Sequence, residues 1–581
     1  MTKDDIAAAL EETALLLELK GENAFRCNAY RNAARALALA EGEIKELIAT
    51  GRLSEVRGIG ATLVEKITEL VTTGELAFLN ELRAEVPPGL RQMLRIPGLG
   101  PKKVKALHDN LLIDDVAKLE AACNAGEVAK LKGFGAKTQA KILEGITFLG
   151  QVGQRVRIDQ AFPLGVSLLE QLKKLPGVIR GELCGSLRRR RETAKDIDIL
   201  ISAADAKPIM DAFVALPEVM QVIGHGDTKS SIVAAMSIGG EKIVVNADLR
   251  VVPDESFPFA LHYFTGSKEH NIRMRQRAID RGWSLNEYAL SGKKGNVACK
   301  DEADIFKSLE VDFIPPELRE DSGEIEAAEK HKLPKLLEQS DIRGVFHNHS
   351  TYSDGNASLE QMALAAKALG FEYFGIGDHS QSLKVANGLS VERVRQQWKE
   401  IDELNARLKG IRILKGIESD ILEDGSLDYD DDVLAGFDYV VGSVHTLFNL
   451  SVEDQTARIC KALAHPRLTM LGHATGRLLL RREGYKVDLD AVLKSAAKHG
   501  KMIEINAHPV RLDLDWRHCK RAKALGIPLV INPDAHSTEE LALYAYGVNE
   551  ARRGWLEKSD VFNTLPLNAV LAKLTEKRTK E

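Results

Sequence analysis

GVFHNHSTYSDG, residues 344–355, ends an apolar run with two histidines one residue apart and sets Asp354 five residues after the second. In an extended strand residues i and i+2 project from one face, so His347 and His349 point the same way. Outward from this stretch the same kind of run recurs as YFGIGDHS, RILKGIESD, YVVGSVH, TMLGHAT, MIEINAH and PLVINPDAH, most of them separated by helical segments. Seven strands alternating with helices predict a closed or nearly closed parallel α/β barrel over 341–575. Each run carries histidine, aspartate or glutamate at its C-terminal end, the rim where such barrels place their chemistry. Ten of the fifteen histidines fall after residue 345, so imidazole is concentrated there.

A chain of 581 residues is expected to form several domains. Its 44% hydrophobic and 28% charged residues are ordinary for a globular protein. No apolar run reaches the roughly 20 residues of a membrane helix, so no membrane partner is expected. The N-terminus, MTKDDIAAALEETALLLELK, has acidic residues at its front and no small-residue cleavage site, and reads as an amphipathic helix rather than a signal peptide. Six scattered cysteines without a CxxC pair predict free thiols in a reducing cytoplasm. The net charge of −5 decides little about partners, because local clusters dominate nucleic-acid binding. Nothing in the chain demands an oligomer, and a monomer with mobile domains is the expectation.

Residues 1–150 read as short helices joined by glycine turns. RGIGATLVEKI (from 57), IPGLGPKKVKAL (from 96) and LKGFGAKTQAKIL (from 131) repeat one pattern, a GxG turn leading into a lysine-bearing helix. The glycines are Gly58 and Gly60, Gly98 and Gly100, Gly133 and Gly135. Such a turn leaves backbone N–H groups at the positive end of the helix dipole, where a phosphate oxygen fits. One copy is as well explained by packing alone; three copies with basic helices predict sequence-independent binding to a nucleic-acid backbone. They resemble helix-hairpin-helix motifs.

Residues 151–315 alternate strands and helices. LCGSLRRRRETAKDIDILI (183–201) holds a Gly-Ser turn, an arginine cluster and an Asp-Ile-Asp, and Asp196 and Asp198 share a face by the period of two. KIVVNADLRVV (242–252) offers Asp248. Three carboxylates converging from adjacent strands suit hard divalent cations, magnesium first, which serve in-line phosphoryl transfer. A lone DxD is more often a pair of solvated strand-end aspartates. The hydrophilic stretch PELREDSGEIEAAEKHKLPKLLEQS (316–340) reads as the joint to the barrel, with the linker itself at 319–340.

GSLRRRRETAKDIDIL, ADLR and HYFTGSKEHNIRMR (262–275) together resemble the family X DNA polymerases, polymerase beta among them, and residues 1 to about 318 follow that family in order. The resemblance implies a mixed-sheet nucleotidyltransferase palm with thumb over 151–318. Asp196, Asp198 and Asp248 then hold Mg2+ or Mn2+, and Gly185, Ser186 and Arg189 hold the triphosphate. In the YFTG motif Tyr263 would crowd the sugar 2′ position and favour deoxynucleotides, with Phe264 and Gly266 as further nucleotide-binding residues. Asn271 and Arg275 reach the nascent pair and the template. The animal members have small residues just before the DxD; Ala194 and Lys195 stand here, so a hydroxyl contact is missing and Lys195 supplies charge. Lys66 falls where the lyase members keep their Schiff-base lysine, with Tyr30 matching a tyrosine of that pocket and Thr62 replacing a basic residue.

Residues 341–575 resemble the PHP (polymerase and histidinol phosphatase) domain. That resemblance assigns nine ligands, His347, His349, Asp354, His379, Glu418, His445, His473, Asp534 and His536, to three divalent ions. Mixed N/O donors suit Mn2+, Zn2+ or Fe. His508, Arg511 and Arg477 are the candidates to hold a phosphate beside them. The combined reading is a bacterial-type family X polymerase that takes gapped or primed DNA and deoxynucleoside triphosphates in base excision repair. Its PHP cage would be a 3′→5′ exonuclease, with AP endonuclease and 5′-deoxyribose-phosphate lyase activities also implied. The alternatives are a polymerase whose PHP module is a small-molecule phosphatase or an inert scaffold, and a non-catalytic DNA-end binder.

Overall fold

Gly60 and Gly100 are extended, with φ of −83° and −77°, immediately before the helices Ala61–Thr73 and Pro101–Leu111. Each helix therefore begins on unpaired backbone N–H groups, and Pro101 suits the first helical position because its missing N–H is not needed there. Gly58 and Gly133 adopt φ of +101° and +91°, where a β-carbon is strained. The computed structural model describes residues 3–39, 44–56, 58–94, 96, 99–151, 155–238, 241–293 and 295–579. Gly98 lies outside them.

The chain divides into two units, residues 1–154 and 155–581. The first is all helical among its described residues. Lys3–Lys20 packs on Ala24–Leu39, and Leu63, Ile67, Leu70, Val104 and Leu107 turn inward at helical spacing.

The second unit contains the palm, the thumb and the barrel. The palm is a five-stranded mixed sheet in the order Val178–Leu183, Asp196–Ala203, Glu241–Val252, Lys229–Ile238, Val219–His225. Its central pair, Asp196–Ala203 with Glu241–Val252, is parallel, and the helix Ile158–Lys173 packs on the sheet through Leu164, Leu168 and Leu172. The helices Phe257–Thr265, Lys268–Asp280 and Glu302–Ser308 follow, and Phe259, Met274, Ile305 and Phe306 form the thumb core.

The barrel has the seven strands expected, in sequence order around the ring; the third is interrupted at Lys415 into Arg412–Leu414 and Gly416–Asp420. Parallel bridges His379↔Glu418 and Asn348↔Ala535 continue the ladder toward the rim, and the second joins the first strand to the last. The N–H of His349 donates to the Ala535 carbonyl at 2.8 Å, and that of Asp534 to the His347 carbonyl at 3.1 Å, so closure is made at the histidines themselves. Among the described residues no helix is long and apolar enough to cross a membrane.

The charged segment 319–340 is anchored at several points in the neighbouring cores. Arg319 and Glu324 are fully buried, Ile325, Ala328 and Leu336 join the thumb core, and Leu337 enters the barrel core. Two of its charges are buried and paired, Arg319 with Glu302 and Glu324 with His270 at 2.9 Å, while most of the others stay in solvent and give the segment its hydrophilic composition.

Candidate active sites

In the palm, Asp198 lies opposite Asp248 in the parallel ladder and Asp196 opposite Asn246, so the strand period puts the three carboxylates on one face. Burial, then the charges of Asp196 and Asp248, push the Asp198 carboxyl up to about 7. Asp196 is raised by burial and by Asp248. Carboxylates gathered on one strand face in this way are of the type that suits a hard divalent cation. Lys229, on the neighbouring strand, approaches Asp248 with Nζ 3.2 Å from Oδ2. Nothing in its local sequence marked it; it arrives by antiparallel pairing.

Above the aspartates is a cleft of about 420 Å³ lined by Gly185, Ser186, Arg189, Tyr263, Gly266 and Asn271 among others. Gly185 has φ +58°, and a β-carbon there would stand 2.1 Å from Oδ2 of Asp198, so only glycine passes the carboxylate. The Ser186 hydroxyl oxygen is buried without a hydrogen-bond partner. Arg189 lines the cleft but is already held: Nε donates to Glu320 at 3.1 Å and Nη1 to the Thr265 carbonyl. Asn271 Nδ2 donates to the Tyr263 carbonyl at 2.7 Å, fixing the YFTG turn, while its Oδ1 is left unpartnered. Arg275 rests over the Tyr263 ring at 5.3 Å, and Phe264 meets that ring edge-on at 5.0 Å. Lys195 and Arg275 also line the cleft.

The barrel rim carries the second centre. Glu418 is at its middle: Oε2 lies 2.8 Å from His379 and 3.3 Å from His347, and Oε1 lies 3.0 Å from His473 and 3.3 Å from His445. His349 Nε2 approaches Asp534 at 3.0 Å, and Asp354 Oδ1 stands 3.8 Å from His349 and 3.5 Å from His536. Three subsets bring their donor atoms within 4.8 Å of one another: His349, Asp354, His379, His536; His347, His349, Asp534; and His379, Glu418, His445. The structure brings eight of the nine expected side chains into these subsets, and His473 reaches the same Glu418 oxygen as His445.

The donor set fits cations on its own terms. Nε2 of His347 and Nδ1 of His349 are buried without a hydrogen-bond partner. Burial and the neighbouring His536 and His379 rings press His349 down to about 3, which keeps it a neutral donor. Burial opposes charge on His379, but Glu418 and Asp354 outweigh it and raise that ring to about 10. The carboxylates thus attract positive charge to the cage, and divalent cations held there supply Lewis acidity toward a phosphoryl oxygen.

Two residues that orient the cage were not foreseen. Asp420 holds His445 Nδ1 at 2.6 Å, and Glu504 holds His347 Nδ1 at 2.7 Å. Asp420 carried a usable signal, two residues beyond Glu418 and so on its face. Of the phosphate candidates, Arg511 is near, with Nε 3.5 Å from Asp534, and His508 faces Asp534 and His536. Arg477 is spent elsewhere: Nη1 pairs with Asp515 at 2.8 Å and Nε donates to the Arg511 carbonyl at 3.0 Å, so it braces the 511–515 loop.

In the first unit Lys66 Nζ rests over the Phe78 ring at 4.2 Å, with Tyr30 stacked on that ring at 6.3 Å. Thr62 is exposed one turn before Lys66.

A palm with three converging carboxylates, joined to a barrel with an imidazole–carboxylate cage, defines a two-centre protein built for phosphate chemistry on nucleic acid. Family models agree: DNA polymerase beta thumb matches residues 260–320, helix-hairpin-helix domain 1–76, SAM-like helix-hairpin-helix tandem 90–147 and PHP domain 346–508. The chain is 41% identical over 574 residues to the DNA polymerase/3'-5' exonuclease PolX of Bacillus subtilis (strain 168), covering 98% of this chain and 99% of that one. It is 28% identical over 247 residues to a probable phosphatase of Acetivibrio thermocellus, covering 40% of this chain and 95% of that protein. The chain belongs to the family X DNA polymerases that carry a C-terminal PHP domain.

Proposed function

We propose that this protein is a DNA-directed DNA polymerase that fills short gaps and trims 3′ ends with its PHP cage. The observation that supports the reading is one chain that carries two chemically different clusters: the Asp196–Asp198–Asp248 strand face, and the imidazole–carboxylate cage around Glu418. Mg2+ or Mn2+ suits the all-oxygen palm site, and Mn2+, Zn2+ or Fe the mixed N/O cage. In the palm the side chains bind and orient: the Ser186 hydroxyl and the Arg189 edge face the triphosphate, and the Tyr263 ring closes the space a 2′-hydroxyl needs. In the cage Arg511 and His508 face the flanking phosphate, and Glu504 and Asp420 hold two imidazoles at fixed tilt.

The test uses a 3′-mispaired primer on a gapped template with Mn2+, with and without deoxynucleotides. His347→Ala/His349→Ala is expected to abolish primer shortening and retain extension; Asp196→Ala/Asp198→Ala is expected to do the reverse. Shortening that survives the histidine change overturns the nuclease reading. Release of phosphate from a phosphomonoester in place of DNA cleavage would instead support the small-molecule phosphatase. AP-site cleavage is scored on an abasic duplex in the same assay, and lyase action at Lys66 by borohydride trapping.

A further inference from the structure

Arg553 ends the helix Tyr544–Arg553 of the PHP domain, yet its side chain serves the other centre. It is fully buried, with its guanidinium carbon 4.8 Å above the Trp516 ring, which anchors it in the barrel. Its Nη1 donates to the main-chain carbonyl of Arg189 at 3.0 Å and lies 3.5 Å from Oε1 of Glu320. That same Glu320 oxygen accepts from Arg189 Nε at 3.1 Å. Arg189 in turn donates from Nη1 to the carbonyl of Thr265, one residue before Gly266 and two after Tyr263. A continuous run of charge-assisted contacts therefore leads from a barrel helix to the wall of the nucleotide cleft.

We propose that Arg553 is a positioning residue for nucleotide binding: the PHP domain supplies the cation that sets Arg189 and the YFTG turn at the angle an incoming triphosphate requires. The physical argument is one of anchoring. Glu320 lies between two guanidinium groups and also faces Arg191 Nη1 at 3.8 Å. With Arg553 in place the carboxylate is held from a second side, and Arg189 keeps one edge on it and one toward the cleft. Without Arg553 the carboxylate loses that hold, and the Arg189 main-chain carbonyl loses the hydrogen bond it accepts from the barrel helix. Arg553 belongs to none of the three donor subsets of the cage, so trimming serves as the control for its folding. The proposal rests on the polymerase reading of the cleft; failure of the wild type to incorporate nucleotides would sink that reading, not this link.

The experiment measures single-nucleotide incorporation on gapped DNA and 3′ trimming in the full-length protein and in Arg553→Met, Arg553→Lys and Glu320→Gln. Arg553→Met is expected to raise KM for the incoming nucleotide about tenfold, the scale of one lost charge-assisted contact, with kcat and trimming near wild type. Arg553→Lys restores a cation and should bring KM back toward wild type; a merely space-filling role would favour methionine over lysine. Glu320→Gln, which keeps shape and removes charge, is expected to raise KM as well, and the double change Arg553→Met/Glu320→Gln to add little beyond the larger single effect. An unaltered KM in a variant that still trims normally, or effects that simply multiply, would overturn the proposal. If Arg553→Met loses trimming through misfolding, Glu320→Gln alone decides.

Discussion

Oε1 of Glu504 stands 2.7 Å from Nδ1 of His347, while Oε2 accepts the backbone N–H of His473 at 2.7 Å. One fully buried carboxylate thus fixes the ring of one cage histidine and the backbone of another from behind. Such outer partners set ring orientation and donor strength. Glu504→Gln is expected to weaken metal binding at the cage by about 10–100-fold. A Mn2+ titration of primer trimming reads this directly, with primer extension as the internal control; an unshifted titration would show that Glu504 only packs.

Gly185 is the tightest point of the palm. A β-carbon there meets Oδ2 of Asp198 at 2.1 Å, on a backbone already at φ +58°. Gly185→Ala must push the carboxylate aside, so incorporation should fall by about 100-fold or more while trimming persists. Equal loss of both activities would mean that the change acts through folding.

Asp198 gives a pH signature. Its folded carboxyl titrates at about 7, above the roughly 3.9 of an unfolded aspartate, because burial and two like charges oppose ionisation. The folded state therefore holds the proton more tightly. That contribution to stability is fully present below about pH 4 and is lost as pH rises through about 7. Melting in EDTA should show wild type losing stability relative to Asp198→Asn across this window. Mg2+ should recover more of it at pH 8 than at pH 6, where protons compete for the site. A wild-type minus variant difference that is flat with pH contradicts the assignment.

Tyr263 is held by Phe264 edge-on at 5.0 Å and by Arg275 over its ring at 5.3 Å, so it cannot swing freely from the cleft. Tyr263→Ala is expected to raise incorporation of ribonucleotides relative to deoxynucleotides by about 10–100-fold. The ratio of kcat/KM values measures it, and an unchanged ratio places sugar discrimination elsewhere.

Arg477 should behave as a brace. With Nη1 on Asp515 at 2.8 Å and Nε on the Arg511 carbonyl at 3.0 Å, Arg477→Ala removes one of the two guanidinium partners of Asp515, and Arg517 remains at 2.7 Å. The expected cost is about 1–2 kcal/mol of stability, read by denaturant unfolding, with trimming lost only as the 511–515 loop loosens. Loss of trimming without loss of stability would return Arg477 to the phosphate site.

Local periodicity carried a great deal here. Along one strand the period of two places His347 with His349, and Asp196 with Asp198, on shared faces before any partner is known. Runs ending in histidine or acid announced the barrel and its rim, and the GxG turns announced helices that begin on free N–H groups. These features are legible because they depend on residues one to four apart. What lay beyond reach depends on closure of the chain over long separations. Glu504 looks like one acid in an apolar strand until the barrel closes and sets it against His347. Lys229 reaches Asp248 only through an antiparallel register, and the charges of 319–340 signal solvent until Arg319 meets Glu302 and Glu324 meets His270. By sequence Arg477 is a phosphate candidate and Arg553 an ordinary arginine. Tertiary structure decided that one braces a loop and that the other reaches from the barrel to Arg189, because a buried charge must find its partner wherever the fold places one.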